Sequence, residues 1–278
     1  MAVGIYDMTP EAYRAAEGVS KSTLFELENG TEASFEHFLI HGKKETEAMR
    51  FGTMIHCYIL EPNLFNKRYV LAPAVNKNTN AYKAFKESLG DKLALDPDDD
   101  LAAKEILSSI KRNSLASAVL DGHHEKSFFW RDTDTNVLCK CRPDSIHLNA
   151  GIISDLKTSG DISPDEFIKK IYDMGYHVQA AMYLDGVTQA IKQSGNNEYK
   201  TKFDKFVFVA VEDKAPYQVA LYDIPEYFID EGRRTYKRLL KKYQEYGLRK
   251  KNGLKARSYP ESIITLEPRA FMFKKEEK

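Results

Sequence analysis

At 278 residues with 42% hydrophobic content, the chain can bury a substantial core, and nothing forces a second domain, so one domain over 1–278 is the default. Lysine plus arginine equals aspartate plus glutamate at 41 each, so net charge points to no polyanionic partner and only the distribution of charge can. Cys57, Cys139 and Cys141 are an odd set without metal-ligand spacing, which fits packing in a reducing cytoplasm and excludes a tetra-cysteine iron–sulfur cluster; with no leader pattern and no membrane-length apolar run, no membrane partner is expected.

Residues 1–19 carry little pattern and read as an extended lead-in. From Ser20, a capping residue followed by Leu24, Phe25 and Leu27 predicts a short helix ending near Asn29-Gly30. Ser20, Lys21 and Ser22 offer hydroxyls, an ammonium and free helix amides, a combination that suits phosphate, with plain capping as the alternative. Thr31 starts a second helix with Phe35, Phe38 and Leu39 as a core-facing stripe. A third is predicted from Thr46 to Leu60, burying Met49, Phe51, Met54, Ile55, Tyr58 and Ile59. His56 follows Gly52 by one turn, which leaves room beside the imidazole for a ligand; a hydrogen-bonded core histidine is the bland alternative.

Residues 65–71 read as a short strand, followed by a polar loop and by helices near 81–89 and 101–120. The acids Asp96, Asp98, Asp99 and Asp100 lack the glycine and distal glutamate of a calcium loop and fit a helix N-terminus. Lys126 to Trp130 opens the sheet, and Glu125 just before it is a candidate extra carboxylate. A strand over 137–146 then pairs as a hairpin with Ile152 and its successors. Alternation along that second strand places Asp155 and Lys157 on one face and Leu156 on the other, in a core. The hairpin brings Asp144 beside Asp155. Two carboxylates repel unless a cation sits between them, and hard oxygen donors suit magnesium or manganese. Lys157 can then neutralise charge growing on a phosphate.

Ser163-Pro164 starts the next helix, and another runs from about His177 to Gln193 with Gln179 and Tyr183 one turn apart. Two strands follow from Lys205 and Tyr217. A long helix from Pro225 to about Tyr246 closes the chain. Between Arg233 and Arg257 stand eleven lysines or arginines and one acid, Glu245, a one-sided charge that favours phosphate contact by Arg233, Arg234 and Lys237. The fold expected is α/β, a central mixed sheet flanked by helices.

Pro143-Asp144, ten residues, then Asp155-Leu156-Lys157 resembles the PD-(D/E)XK nuclease motif. Phe51 to Pro62 is similar to the histidine-bearing helix of its RecB-like branch, and Gln179 and Tyr183 match that branch's glutamine–tyrosine helix. With SKSTL near the start and KCRPDSI before the core, residues 20–245 resemble the nuclease domain of RecE-type exonucleases. The tail beyond Lys250 matches nothing in that pattern. The resemblance implies a Mg2+-dependent exonuclease, Mn2+ being a plausible substitute and two ions the usual number. It would digest double-stranded DNA ends 5′ to 3′ and leave 3′ single strands for an annealing protein, from a ring-shaped homo-oligomer. It also implies roles: Asp144, Asp155 and the Leu156 carbonyl on one ion, His56 serving a second, Lys157 assisting the attacking water, and Gln179 and Tyr183 positioning the lysine or the strand. Endonuclease or single-strand nuclease activity on the same core, or a non-catalytic DNA-binding module, are the alternatives.

Overall fold

The computed structural model of the chain describes residues 1–196, 198–200 and 202–267. The first residues are not an extended lead-in: they form strand β1 (Gly4–Tyr6) and helix α1 (Pro10–Ala15). Thr9 caps α1 by accepting the Ala12 amide, and Pro10 opens it, but a six-residue helix is too short to show a stripe. Helix α2 (Lys21–Glu28) starts at Ser20, whose hydroxyl accepts the Thr23 amide, and α3 (Glu32–His41) starts at Thr31. The α3 stripe is narrower than predicted: Phe35 is buried, whereas Leu39 is 45% exposed. Helix α4 (Glu47–Leu60) buries Met54, Ile55, Cys57 and Leu60, but Met49 stays exposed. The strand predicted over 65–71 is mostly helix, because Pro62 opens α5 (Pro62–Arg68) and leaves only β2 (Tyr69–Leu71).

Helix α6 (Asn80–Ser88) and strand β3 (Leu93–Leu95) lead to α7 (Pro97–Arg112). Asp96 caps α7, and Asp98, Asp99 and Asp100 fill its first turn, as a helix macrodipole favours. The single helix predicted over 101–120 breaks at Asn113, whose side-chain Oδ1 caps α8 (Ser114–Leu120) by accepting the Ala116 amide. After β4 (His123–His124) and β5 (Ser127–Arg131), the strand predicted over 137–146 is two strands, β6 (Leu138–Cys141) and β7 (Ser145–His147). Pro143 has no amide for a ladder, so the chain leaves one sheet there and enters another. The order ends β8 (Ile152–Ser159), α9 (Pro164–Asp173), α10 (Tyr176–Ser194), β9 (Lys205–Glu212), β10 (Val219–Tyr222) and α11 (Glu226–Lys251). Ser163 precedes α9 but makes no capping bond through its side chain.

The main sheet runs β10-β9-β8-β7-β4; β8 and β9 are parallel and the other pairs antiparallel, which makes it mixed. The β7–β8 hairpin sets Ser145 opposite Ser154. A second sheet, β1-β5-β6, is antiparallel, and β2 and β3 form a parallel pair. Alternation along β8 and β9 splits the core in two. Ile153, Phe206 and Phe208 face α9 and α10, while Leu156, Val209 and Val211 face Met54, Ile55 and Ile106 of α4 and α7. Helix α10 also packs against Phe128 and Trp130 of the second sheet, and eleven of its nineteen residues are buried, which explains its weak amphipathic pattern. Gly232 lets α11 cross α10 closely: a Cβ there would lie 2.2 Å from the His177 carbonyl oxygen. Among the described residues no helix is long and apolar enough to cross a membrane. The predicted tail beyond Lys250 lies partly in 268–278, outside the described residues.

Candidate active site and metal centre

The break at Pro143 positions the first acid. Asp144 leaves the sheet between β6 and β7, is 7% exposed, and its Oδ2 accepts the Leu156 amide of β8 at 2.7 Å. One strand therefore carries Asp155 and Lys157 in its side chains and holds Asp144 through its backbone. His56 reaches the same oxygen from α4, its Nδ1 3.3 Å away. Glu125 enters from the turn before β5, where its φ of 53° is unusual for a residue with a side chain and its amide donates to the Asp144 carbonyl at 3.3 Å. Ligand atoms of His56, Glu125 and Asp144 lie within 4.8 Å of one another.

Asp144 acts on the charge of both its neighbours in this cluster. Burial disfavours the charged imidazole of His56, but the Asp144 carboxylate outweighs it and lifts the ring to about 9. The same interaction overcomes burial at Asp144 and holds its carboxyl low. Burial, then Asp144, push Glu125 up to about 7. Two carboxylates and an imidazole are a donor set that a divalent cation can use.

Asp155 stands next to this cluster rather than in it. Its Oδ1 accepts from Gln179 Nε2 at 2.5 Å, and its Oδ2 is ion-paired with Lys157. Burial raises the Asp155 carboxyl in spite of Lys157, while Asp155 overcomes burial at Lys157 and keeps the ammonium charged. The Leu156 side chain is fully buried on the opposite face, as alternation requires. Gln179 thus touches the acid of the pair, not the lysine. Tyr183 lines the same cleft, with its ring edge-on to Phe206 at 6.3 Å. The aromatic partner of Lys157 is instead Tyr176, whose ring centre lies 4.6 Å from the ammonium.

The cleft has a volume of about 540 Å3. Ser20, Lys21 and Ser22 line it at the start of α2, where Lys21 Nζ donates to the Met174 carbonyl at 2.5 Å. Arg233, Arg234 and Lys237 are not brought to it. Arg233 is ion-paired with Asp185 and Asp230, Arg234 with Glu231, and Lys237 with Asp132 and Asp134. Each of these three thus already has an acid partner, that of Arg234 on α11 itself.

Sequence reasoning missed Arg142, Tyr176 and the α1 residues Tyr13 and Arg14. Arg142 is 8% exposed, pairs through Nε with Glu125 and through NH2 with Glu61 at 3.4 Å, and keeps a buried NH1 without a partner. A charged residue inside the apolar run before Pro143 was the available signal. Tyr176 and α1 had none, since a lone aromatic and a short helix look ordinary.

Residues 20–252 match the family described as a PDDEXK-like domain of unknown function (DUF3799). No curated protein matches the chain. Among solved structures, the chain is similar to a protein from Eubacterium rectale described as a "putative exonuclease", crystallised at 2.19 Å. The TM-score is 0.62 and the identity 16%, over 96% of this chain and 97% of that one, a likeness of fold.

Proposed function

The chain belongs to the PDDEXK-like DUF3799 family, and we propose that it is a divalent-metal-dependent exonuclease acting on double-stranded DNA ends. The observation that carries this reading is the cluster of His56, Glu125 and Asp144 beside the Asp155–Lys157 ion pair, with His56, Glu125 and Gln179 lining one cleft. A divalent ion held by His56, Glu125 and Asp144 would polarise a phosphate oxygen and supply a water acidic enough to attack phosphorus. The chain's own residues do the rest. The Leu156 amide fixes the rotamer of Asp144, Asp155 and the Tyr176 ring hold the Lys157 ammonium, and that ammonium offsets negative charge as it grows on the phosphoryl oxygens. Gln179 keeps Asp155 in place. Ser20, Lys21 and Ser22 lie in the same cleft and are the proposed receptor for a terminal 5′-phosphate.

The 5′-to-3′ direction, the 3′ single strand handed to an annealing protein, magnesium in preference to manganese, and a pair of ions, one on Asp144, Asp155 and the Leu156 carbonyl and a second served by His56, rest on the resemblance to RecE-type exonucleases. The test is digestion of end-labelled linear duplex beside covalently closed circular duplex, with magnesium or manganese. Loss of the linear DNA alone supports the exonuclease. Loss of both selects an endonuclease, and loss of neither leaves a non-catalytic DNA-binding module.

A further inference from the structure

Arg142 follows the last residue of β6, two positions before Asp144, and lines the cleft with only 6% of its side chain exposed. A guanidinium enclosed to that degree is costly unless carboxylates meet its donors. Two of its nitrogens are met: Nε is ion-paired with Glu125 Oε2, and NH2 with Glu61 Oε1 at 3.4 Å. NH1 is buried and has no partner among the described residues. The Tyr13 ring of α1 lies over the guanidinium, its centre 5.9 Å away.

Both of these acids belong to segments that carry candidate metal ligands. Glu61 closes α4, the helix that carries His56. Glu125 is itself one of the three cluster residues, in a turn tied by its amide to the Asp144 carbonyl at 3.3 Å. Its backbone is fixed at a φ of 53°, but a glutamate side chain still has several rotamers open to it. A partner that takes one carboxylate oxygen in a defined plane orients the other. Arg142 is that partner, and Glu61 holds the far side of the same planar group.

From this geometry we propose that Arg142 is a positioning residue for the divalent ion: anchored on Glu61 at the end of α4, it aims the Glu125 carboxylate at His56 and Asp144. The inference rests on the metal-site reading and deepens it. Charge alone would give Arg142 the opposite effect, because a cation beside the site repels the ion. What it supplies is direction, through a fork that spans two acids. A lysine carries the same charge at a single point and cannot span both.

The test is Mn2+ binding to the full chain, measured by calorimetry without DNA, with the melting temperature of the ion-free protein recorded alongside. Arg142→Lys is expected to weaken Mn2+ binding about tenfold or more while melting near the wild type. Glu125→Gln should weaken binding as well, and adding Arg142→Lys to it should cost nothing further, because Arg142 acts through Glu125. Wild-type affinity in Arg142→Lys overturns the proposal, and so does a fully additive loss in the double variant. Should Arg142→Lys melt well below the wild type, Glu61→Gln, at a partly exposed helix end, removes the anchor alone. Weaker Mn2+ binding by that variant supports the proposal, and unchanged binding overturns it. If the wild type binds no Mn2+, the metal site and the proposal fall together. If it binds Mn2+ and cuts no DNA, the nuclease reading fails while the role of Arg142 stands.

Discussion

Asp155 is buried and ion-paired with the partly buried Lys157, whose ammonium it keeps charged. Asp155→Ala and Lys157→Ala are each expected to lower cleavage of linear duplex by about a hundredfold or more, with the fold retained. Near-normal turnover by either would remove them from the site. Lys21 gives a second test, through pH. Burial, then the charge of Lys157, lower its ammonium from the ordinary 10.5 to about 7. Between those values the unfolded chain holds a proton that the folded chain has lost, so this group makes stability rise with pH; below pH 7 the cost of the buried charge is fully present. The unfolding free energy of Lys21→Met minus that of the wild type should therefore fall as pH rises from about 7 to about 10. Denaturant unfolding across that range measures it, and a constant difference would return Lys21 to the surface.

Elements carry the next lesson through α11, whose charge reads one way along the chain and another in space. Lys237 meets Asp132, which is 4% exposed and also accepts from the Thr135 amide and hydroxyl. Removing the ammonium leaves a buried carboxylate short of a partner, a loss of about 1–3 kcal/mol or more. Lys237→Ala is accordingly expected to lower the melting temperature while leaving the salt dependence of DNA binding unchanged. A reduced salt slope at unaltered stability would restore the phosphate role predicted from sequence. The same shift of meaning applies to residues 137–146, which alternate like one strand but serve two sheets because Pro143 cannot continue the ladder.

Over the whole molecule, α10 is the piece that both sheets share, holding Gln179 against the site from a helix whose buried residues outnumber the rest. That rigidity suits a site that must keep a lysine and several carboxylates in register. The ring assembly implied by the resemblance to RecE-type exonucleases belongs to this scale, and sedimentation at micromolar concentration should show a closed oligomer. A monomer that digests DNA processively would contradict it.

By itself the sequence determined the α/β class, the main-sheet hairpin and the placing of Asp155 and Lys157 on one face of a single strand. Caps, alternation and the spacing from Pro143 to Lys157 are local, and backbone geometry converts them directly into position. Only the tertiary structure decided that Glu125 joins His56 and Asp144, that Tyr176 backs Lys157, that Arg233 and Lys237 meet acids from other elements, and that α1 walls the cleft. Those outcomes depend on partners far apart in the chain, such as Lys237 with Asp132 or Arg68 with Glu11, and no local pattern records which distant charge a side chain will meet.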